Sequence, residues 1–137
     1  ILDRSIIQNI KYGILNFHPG ILPQIRGLDS LLWSIYKNKP LGVTAHLINH
    51  EIDSGYLVCQ QKINISLTDD IYSLKEKIYQ LQLDLIPISL NLILRNKKFP
   101  KLEKGQYNSK MEYGIQKQLA SNILAYMQTQ IKHEQEN

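Results

Sequence analysis

Three residue types that can act together on a carbonyl group fall in two short stretches of the chain. Asn16 and His18 stand in Asn16-Phe-His-Pro19, and Asp53 stands in Ile52-Asp-Ser-Gly55. Residues two apart share one face of an extended segment, so Asn16 and His18 point the same way from a strand end and Phe17 takes the other side. A side-chain amide donates to an oxygen that gains negative charge, and an imidazole donates or moves a proton. A nearby carboxylate orients the ring and raises its pKa. Singly, each residue also has an ordinary use: Asn bonding backbone at a strand–loop junction, His in a polar core site, Asp in an Asx turn with Ser54-Gly55. Together they favour chemistry, and the turn and the catalytic role of Asp53 coexist. His46, alternating with Thr44 along a strand, reads as a satisfied strand histidine, and His50 as a loop residue that contacts ligand. His18, His46, His50 and Asp53 are ordinary zinc ligand types, but Asn-x-His is not a ligand motif and no metal is expected.

The surrounding pattern supplies elements to hold these groups. Pro19, Gly20, Pro23 and Gly27 break regular structure just after a strand at 14–17, and such loops at the carboxyl ends of strands are where open α/β sheets bind ligands. Residues 3–10 read as a short helix capped by Asp3 or Ser5. Leu28, Leu31, Leu32 and Ile35 have helical spacing and stop at Asn38-Lys-Pro40. Residues 43–48 and 56–65 are strand-like and are expected to pair antiparallel. Thr68-Asp69-Asp70 caps the longest helix, with Ile71, Leu74, Ile78, Leu81, Leu85, Ile88 and Leu92 as its buried stripe and a kink near Pro87. From Phe99 the pattern weakens to a short extended piece at 105–108, a weak helix over 110–131, and a disordered end at 132–137.

Composition limits the classes. With 137 residues, 43% apolar and 20% charged, the chain suits one domain with a modest core. No run of about 18 apolar residues suggests a membrane span, and no secretory signal is visible. Cys59 is the single cysteine, which points to a buried strand thiol in a reducing cytoplasm. The net charge of +4 is spread along the chain, which reads first as solvated surface; positive potential also steers a phosphate-bearing acceptor, and nothing in it demands nucleic acid.

The ordered series Asn16-x-His-Pro19, Leu22-Pro-x-x-Arg26-Gly27, Gly42-Val-Thr-x-His46 and Ile52-Asp-x-Gly55 resembles the folate-dependent formyltransferases across roughly residues 1–95. The resemblance implies an α/β fold. Residues 1–98 would be the C-terminal part of a Rossmann-like domain, a three-layer sandwich with a mixed sheet, and 99–137 a small, partly helical extension. The first strands of that domain would lie upstream of Ile1, so residues 1–137 alone are expected to be poorly active.

The reaction implied is transfer of a formyl group from 10-formyltetrahydrofolate, as co-substrate, to a primary amine. Asn16 and His18 would stabilise the oxyanion, and Asp53 would support His18 and receive the amine proton. Ile14, Asn49, His50, Glu51 and Ile52 occupy the folate-contacting positions. Gly20, Arg26, Gly27 and Gln82 occupy acceptor-side positions, and Leu22-Pro23 sits where a cis proline suits the family's sharp turn. Gly20 replaces a serine common in the family. Gln82 replaces the glutamate of the purine-pathway enzymes, which counts against glycinamide ribonucleotide as acceptor. The diffuse charge and the short segment after Phe99 count against methionyl-tRNA. A nucleotide-linked amino sugar is the expected acceptor, with Trp33, Tyr36 and Tyr107 as stacking candidates. The alternatives are the purine or tRNA substrates, or a non-catalytic folate-binding module. A homodimer is left open, and no membrane partner is expected.

Overall fold

A computed structural model describes residues 5, 9–10, 13–49, 55–96 and 98–136. The elements in chain order are β1 (Leu15–His18), β2 (Arg26–Gly27), α1 (Ser30–Tyr36), β3 (Gly42–Leu47), β4 (Tyr56–Lys62), α2 (Ile71–Arg95), β5 (Tyr107–Asn108) and α3 (Tyr113–Gln135). Ser5 and Asn9 are helical, and the rest of the helix expected over 3–10 lies outside the described residues, Ile10 apart.

The β-branched and aromatic residues of 43–47 and 56–62 pair antiparallel, as their composition predicts. β1 adds to the other side of β3, giving a three-stranded antiparallel sheet in the order β1-β3-β4. A separate parallel pair, β2 with β5, ties the Pro/Gly-rich loop to residues near the C-terminal helix. Its two strands are far apart in sequence, so only tertiary packing brings them together.

Helix α2 lies on β3 and β4. Leu74, Ile78, Leu81 and Leu85 follow helical spacing and are buried against Leu41, Val43 and Ile63. Each such side chain contributes about 1.5–3 kcal/mol by leaving water. The stripe then departs from expectation. Ile88 is 46% exposed and Ser89 is buried, because the small Ser89 meets Cys59 of β4, Oγ to Sγ 3.3 Å. Cys59 itself is only half-buried. The helix is continuous across Pro87.

A second correction concerns Leu28, which is 53% exposed and not on a buried helix face. Asp29 adopts a left-handed conformation (φ 49°), so α1 begins only at Ser30 and Leu28 is turned outward. The Asp29 carboxylate accepts a hydrogen bond from the Met111 amide at 2.8 Å and does not cap α1. Residues after 98 enter the same core: Met111, Leu119, Tyr126 and Met127 pack with Leu31 and Ile35. The buried Tyr126 hydroxyl donates to the Lys39 carbonyl at 2.8 Å, and burial, reinforced by the Glu134 charge, pushes its pKa up. α3 runs to Gln135, through most of the end expected to be disordered. None of the helices among the described residues is long and apolar enough to cross a membrane.

The start of α2 carries a pH-dependent contribution. Asp70 and Ser73 form a reciprocal capping box. Beside them, the Lys77 ammonium donates to Asp69 at 2.6 Å, and the Ser66 amide and Ser73 hydroxyl also donate to that carboxylate. Burial pushes the Asp69 pKa up, but these donors outweigh it and hold the group below its usual 3.8. A depressed folded-state pKa stabilises the fold above the unfolded value and is lost as pH falls through the folded one. Asp69→Asn is therefore expected to cost about 1 kcal/mol near neutrality and progressively less below about pH 4, read from urea unfolding across pH.

Candidate active site

Asn16 and His18 lie on β1, and the ladder sets Asn16 opposite His46 and His18 opposite Thr44. Alternation along β1 puts both on one face, as their spacing predicts. The Asn16 side chain meets His46 directly, Nδ2 to Nε2 3.1 Å. An amide nitrogen only donates, so Nε2 of His46 accepts.

His18 is 4% exposed, and its ring is turned into the loop that follows. Its Nε2–H donates to the Ile25 carbonyl at 2.8 Å, and the Ser30 hydroxyl lies 3.3 Å from the same nitrogen. Gly20 completes this fit. A Cβ there would come within 2.9 Å of His18 Nε2 and 3.0 Å of the Ile25 carbonyl oxygen, so the family's serine has no room beside this ring. Thr44 braces the loop from β3: its hydroxyl donates to the Gly20 carbonyl at 2.7 Å and accepts from the Leu22 amide and from Gln60. The Leu22–Pro23 bond is cis.

The acceptor-side positions gather around this loop, several with partners of their own. Arg26 is buried; it donates to the Gly105 carbonyl at 3.2 Å, and its guanidinium lies 5.9 Å from the Tyr107 ring centre. Gly27 has φ 103°, and a Cβ there would lie 2.2 Å from the Asn108 carbonyl oxygen. The close approach at Gly27 is therefore made by β5. Gln82 donates to the Phe17 carbonyl at 2.7 Å, tying α2 to the strand that carries Asn16 and His18.

Of the positions expected to contact folate, Ile14 and Asn49 are described. At one end of the sheet the Ile48 amide, next to Asn49 in the chain, donates to the Ile14 carbonyl at 2.9 Å. Gly55 (φ 116°) packs its backbone there, with a Cβ position 2.0 Å from the Leu47 carbonyl oxygen and 3.1 Å from the Asn49 nitrogen. His50, Glu51, Ile52 and the expected catalytic Asp53 lie outside the described residues.

A hollow of about 510 Å³ opens beside the loop, lined by Pro19, Gly27, Ser30, Tyr79, Lys75 and Gln82 among others. Tyr79 is 58% exposed. Sequence reasoning missed Lys75 and Tyr79, although the spacing 75, 79, 82 sets all three on one face of a helix. Among the expected stacking candidates, Trp33 donates its indole N–H to the Ser109 carbonyl at 2.8 Å, and its ring packs partly buried against the core.

Comparison with known proteins bears on the family of the chain. The family model described as formyl transferase matches residues 1–90. A methionyl-tRNA formyltransferase of Thermodesulfovibrio yellowstonii is 28% identical over 107 residues, 77% of this chain and 35% of that protein. The bifunctional polymyxin resistance protein ArnA of Wigglesworthia glossinidia brevipalpis is 34% identical over 98 residues, 71% of this chain and 15% of that one. The chain thus spans about a third or less of the length of these two curated relatives. Among solved structures, the formyltransferase PseJ of Anoxybacillus kamchatkensis, in complex with UDP-4,6-dideoxy-4-formamido-L-AltNAc and tetrahydrofolate, aligns with TM-score 0.70 and 28% identity. That alignment covers 80% of this chain and 59% of that one. The motif series, the α/β architecture and the family match across residues 1–90 agree: the chain belongs to the formyl transferase family.

Proposed function

We propose that the protein carrying this chain transfers a formyl group from 10-formyltetrahydrofolate to a primary amine of a nucleotide-linked amino sugar. The observation that carries the reading is the Asn16 amide, held against His46 on the same strand face as His18. Such a donor is pre-oriented for the oxygen of a formyl carbon under attack. When bound, the folate supplies the activated formyl group. This chain's residues orient and stabilise: Asn16 donates to the formyl oxygen, His18 supports the proton movements, and Asp53 sets the charge of His18 and receives the amine proton. Ile14, Asn49, His50, Glu51 and Ile52 are the folate-side residues in this reading. The pairing of Ile14 with the segment leading to Asn49 supports their lying at one sheet end.

The hollow beside the loop supports a small acceptor. Its cation Lys75, exposed ring Tyr79 and amide Gln82 suit a phosphate, a base and a sugar amine respectively. Gly27 lines the hollow, while Gly20, packed against His18, and Arg26, bonded to the Gly105 carbonyl, support the loop beside it. The chain's likeness to a structure containing a formylated nucleotide sugar points the same way. Methionyl-tRNA is the second reading, favoured by the identity with the Thermodesulfovibrio enzyme over most of this chain.

Competition decides between them. The full-length gene product, given 10-formyltetrahydrofolate with a UDP-linked 4-amino sugar, glycinamide ribonucleotide and methionyl-tRNA together, is expected to formylate the sugar at least tenfold faster by kcat/KM. Lys75→Ala is expected to raise KM for that acceptor about tenfold and leave kcat near wild type. Preference for tRNA or the purine precursor overturns the acceptor assignment.

A further inference from the structure

We propose that His46 is the positioning residue of Asn16: its Nε2 lone pair takes one amide N–H and thereby aims the other at the oxygen of the reacting carbonyl. The inference rests on the formyl-transfer reading of Asn16 and assigns His46 a role that sequence alone gives to core packing. Four observations carry it. His46 is fully buried, at 0% exposure, so its ring has a fixed environment. It is the direct ladder partner of Asn16 across β1 and β3. The register between β3 and β4 slips between Ala45 and His46, and an irregularity of this kind re-aims the side chain that follows it. The 3.1 Å contact runs from Asn16 Nδ2 to His46 Nε2, which requires Nε2 to be unprotonated and the ring proton to sit on Nδ1.

The consequence for Asn16 is geometric. The amide torsion of asparagine is broad and roughly two-fold. A bond to one N–H fixes the amide plane, and with it the directions of the second N–H and of Oδ1. Without the imidazole acceptor the amide turns freely between donor and acceptor orientations, and the oxyanion loses its aligned donor for part of the time.

Two measurements on the full-length protein test this, one of them independent of turnover. Nitrogen-edited NMR of the histidine rings is expected to show His46 with Nε2 unprotonated, and the Asn16 side-chain amide signals are expected to move in His46→Leu. A protonated Nε2 overturns the proposal whether or not any amine is formylated. Kinetically, His46→Leu is expected to lower kcat about tenfold to a hundredfold with KM for both substrates within twofold of wild type. His46→Gln, which offers an acceptor oxygen, is expected to recover part of that loss. Asn16→Ala/His46→Leu should be no slower than Asn16→Ala alone, because the two residues act through one hydrogen bond. Losses that multiply in the double variant overturn it, since they mean His46 acts without Asn16. If no amine is formylated, the functional reading fails by itself and the NMR result still decides the role of His46.

Discussion

Asn16→Ala is expected to lower kcat about 10²–10³-fold while KM for donor and acceptor stays near wild type. In the proposed reaction the side chain gives one aligned N–H to an oxygen whose negative charge develops only as the tetrahedral species forms, so its removal falls on kcat. Losing a donor of this kind costs about 2.7–4 kcal/mol. Asn16 is half-buried and its side chain bonds His46, so the substitution removes little core volume and folding should be spared. Circular dichroism and thermal melting like wild type, alongside the kinetic loss, separate chemistry from stability. A KM effect with unchanged kcat would instead make Asn16 a ground-state binding residue.

Gly27→Ala should strongly destabilise the fold around the acceptor-side loop, costing about 3 kcal/mol or more. Two penalties combine. The residue holds φ 103°, which L side chains rarely adopt, and the new Cβ would lie 2.2 Å from the Asn108 carbonyl oxygen and 3.0 Å from the Asn108 nitrogen. Both are backbone atoms of β5, pinned by the Asn108 side chain donating to the Arg26 carbonyl at 2.8 Å, so they cannot step aside cheaply. The parallel pair β2–β5 should open, releasing the loop that holds His18 through Ile25. Urea unfolding should show the lowered midpoint. Gly114→Ala, where nothing lies within 4 Å of the added Cβ, should leave that midpoint nearly unchanged and serves as the control.

The parts of the molecule legible in the sequence are those written by short-range pattern. Alternation over 15–18 and 43–47, helical spacing at 74, 78, 81 and 85, and the Asp70–Ser73 cap each depend on neighbours within one or two turns. The features that escaped depend on register or rotation. That His46 faces Asn16 follows from how β1 slides along β3, which neither strand encodes by itself. Leu28 turned outward because Asp29 took a left-handed conformation, with its carboxylate bound to Met111 far along the chain. Ile88 and Ser89 are adjacent candidates for the same stripe, and only the approach of Cys59 chose the smaller one. Gly27 read only as an acceptor-side position, and the strand that packs against its backbone lies 80 or so residues later. Lys75 and Tyr79 carried a usable signal in their spacing with Gln82, but that face gained meaning only when α2 was seated beside the loop.

Formyl transfer through Asn16 and His18 is tested most directly by following an isotope-labelled formyl group. The full-length protein is incubated with labelled 10-formyltetrahydrofolate and a UDP-linked amino sugar, and the label is located by mass spectrometry. The expected result is label in a new sugar formamide, matched one for one by tetrahydrofolate release and reduced at least a hundredfold in both Asn16→Ala and His18→Ala. Label transfer at the wild-type rate in either variant would contradict the assignment, as would folate binding with no amine-dependent release of tetrahydrofolate.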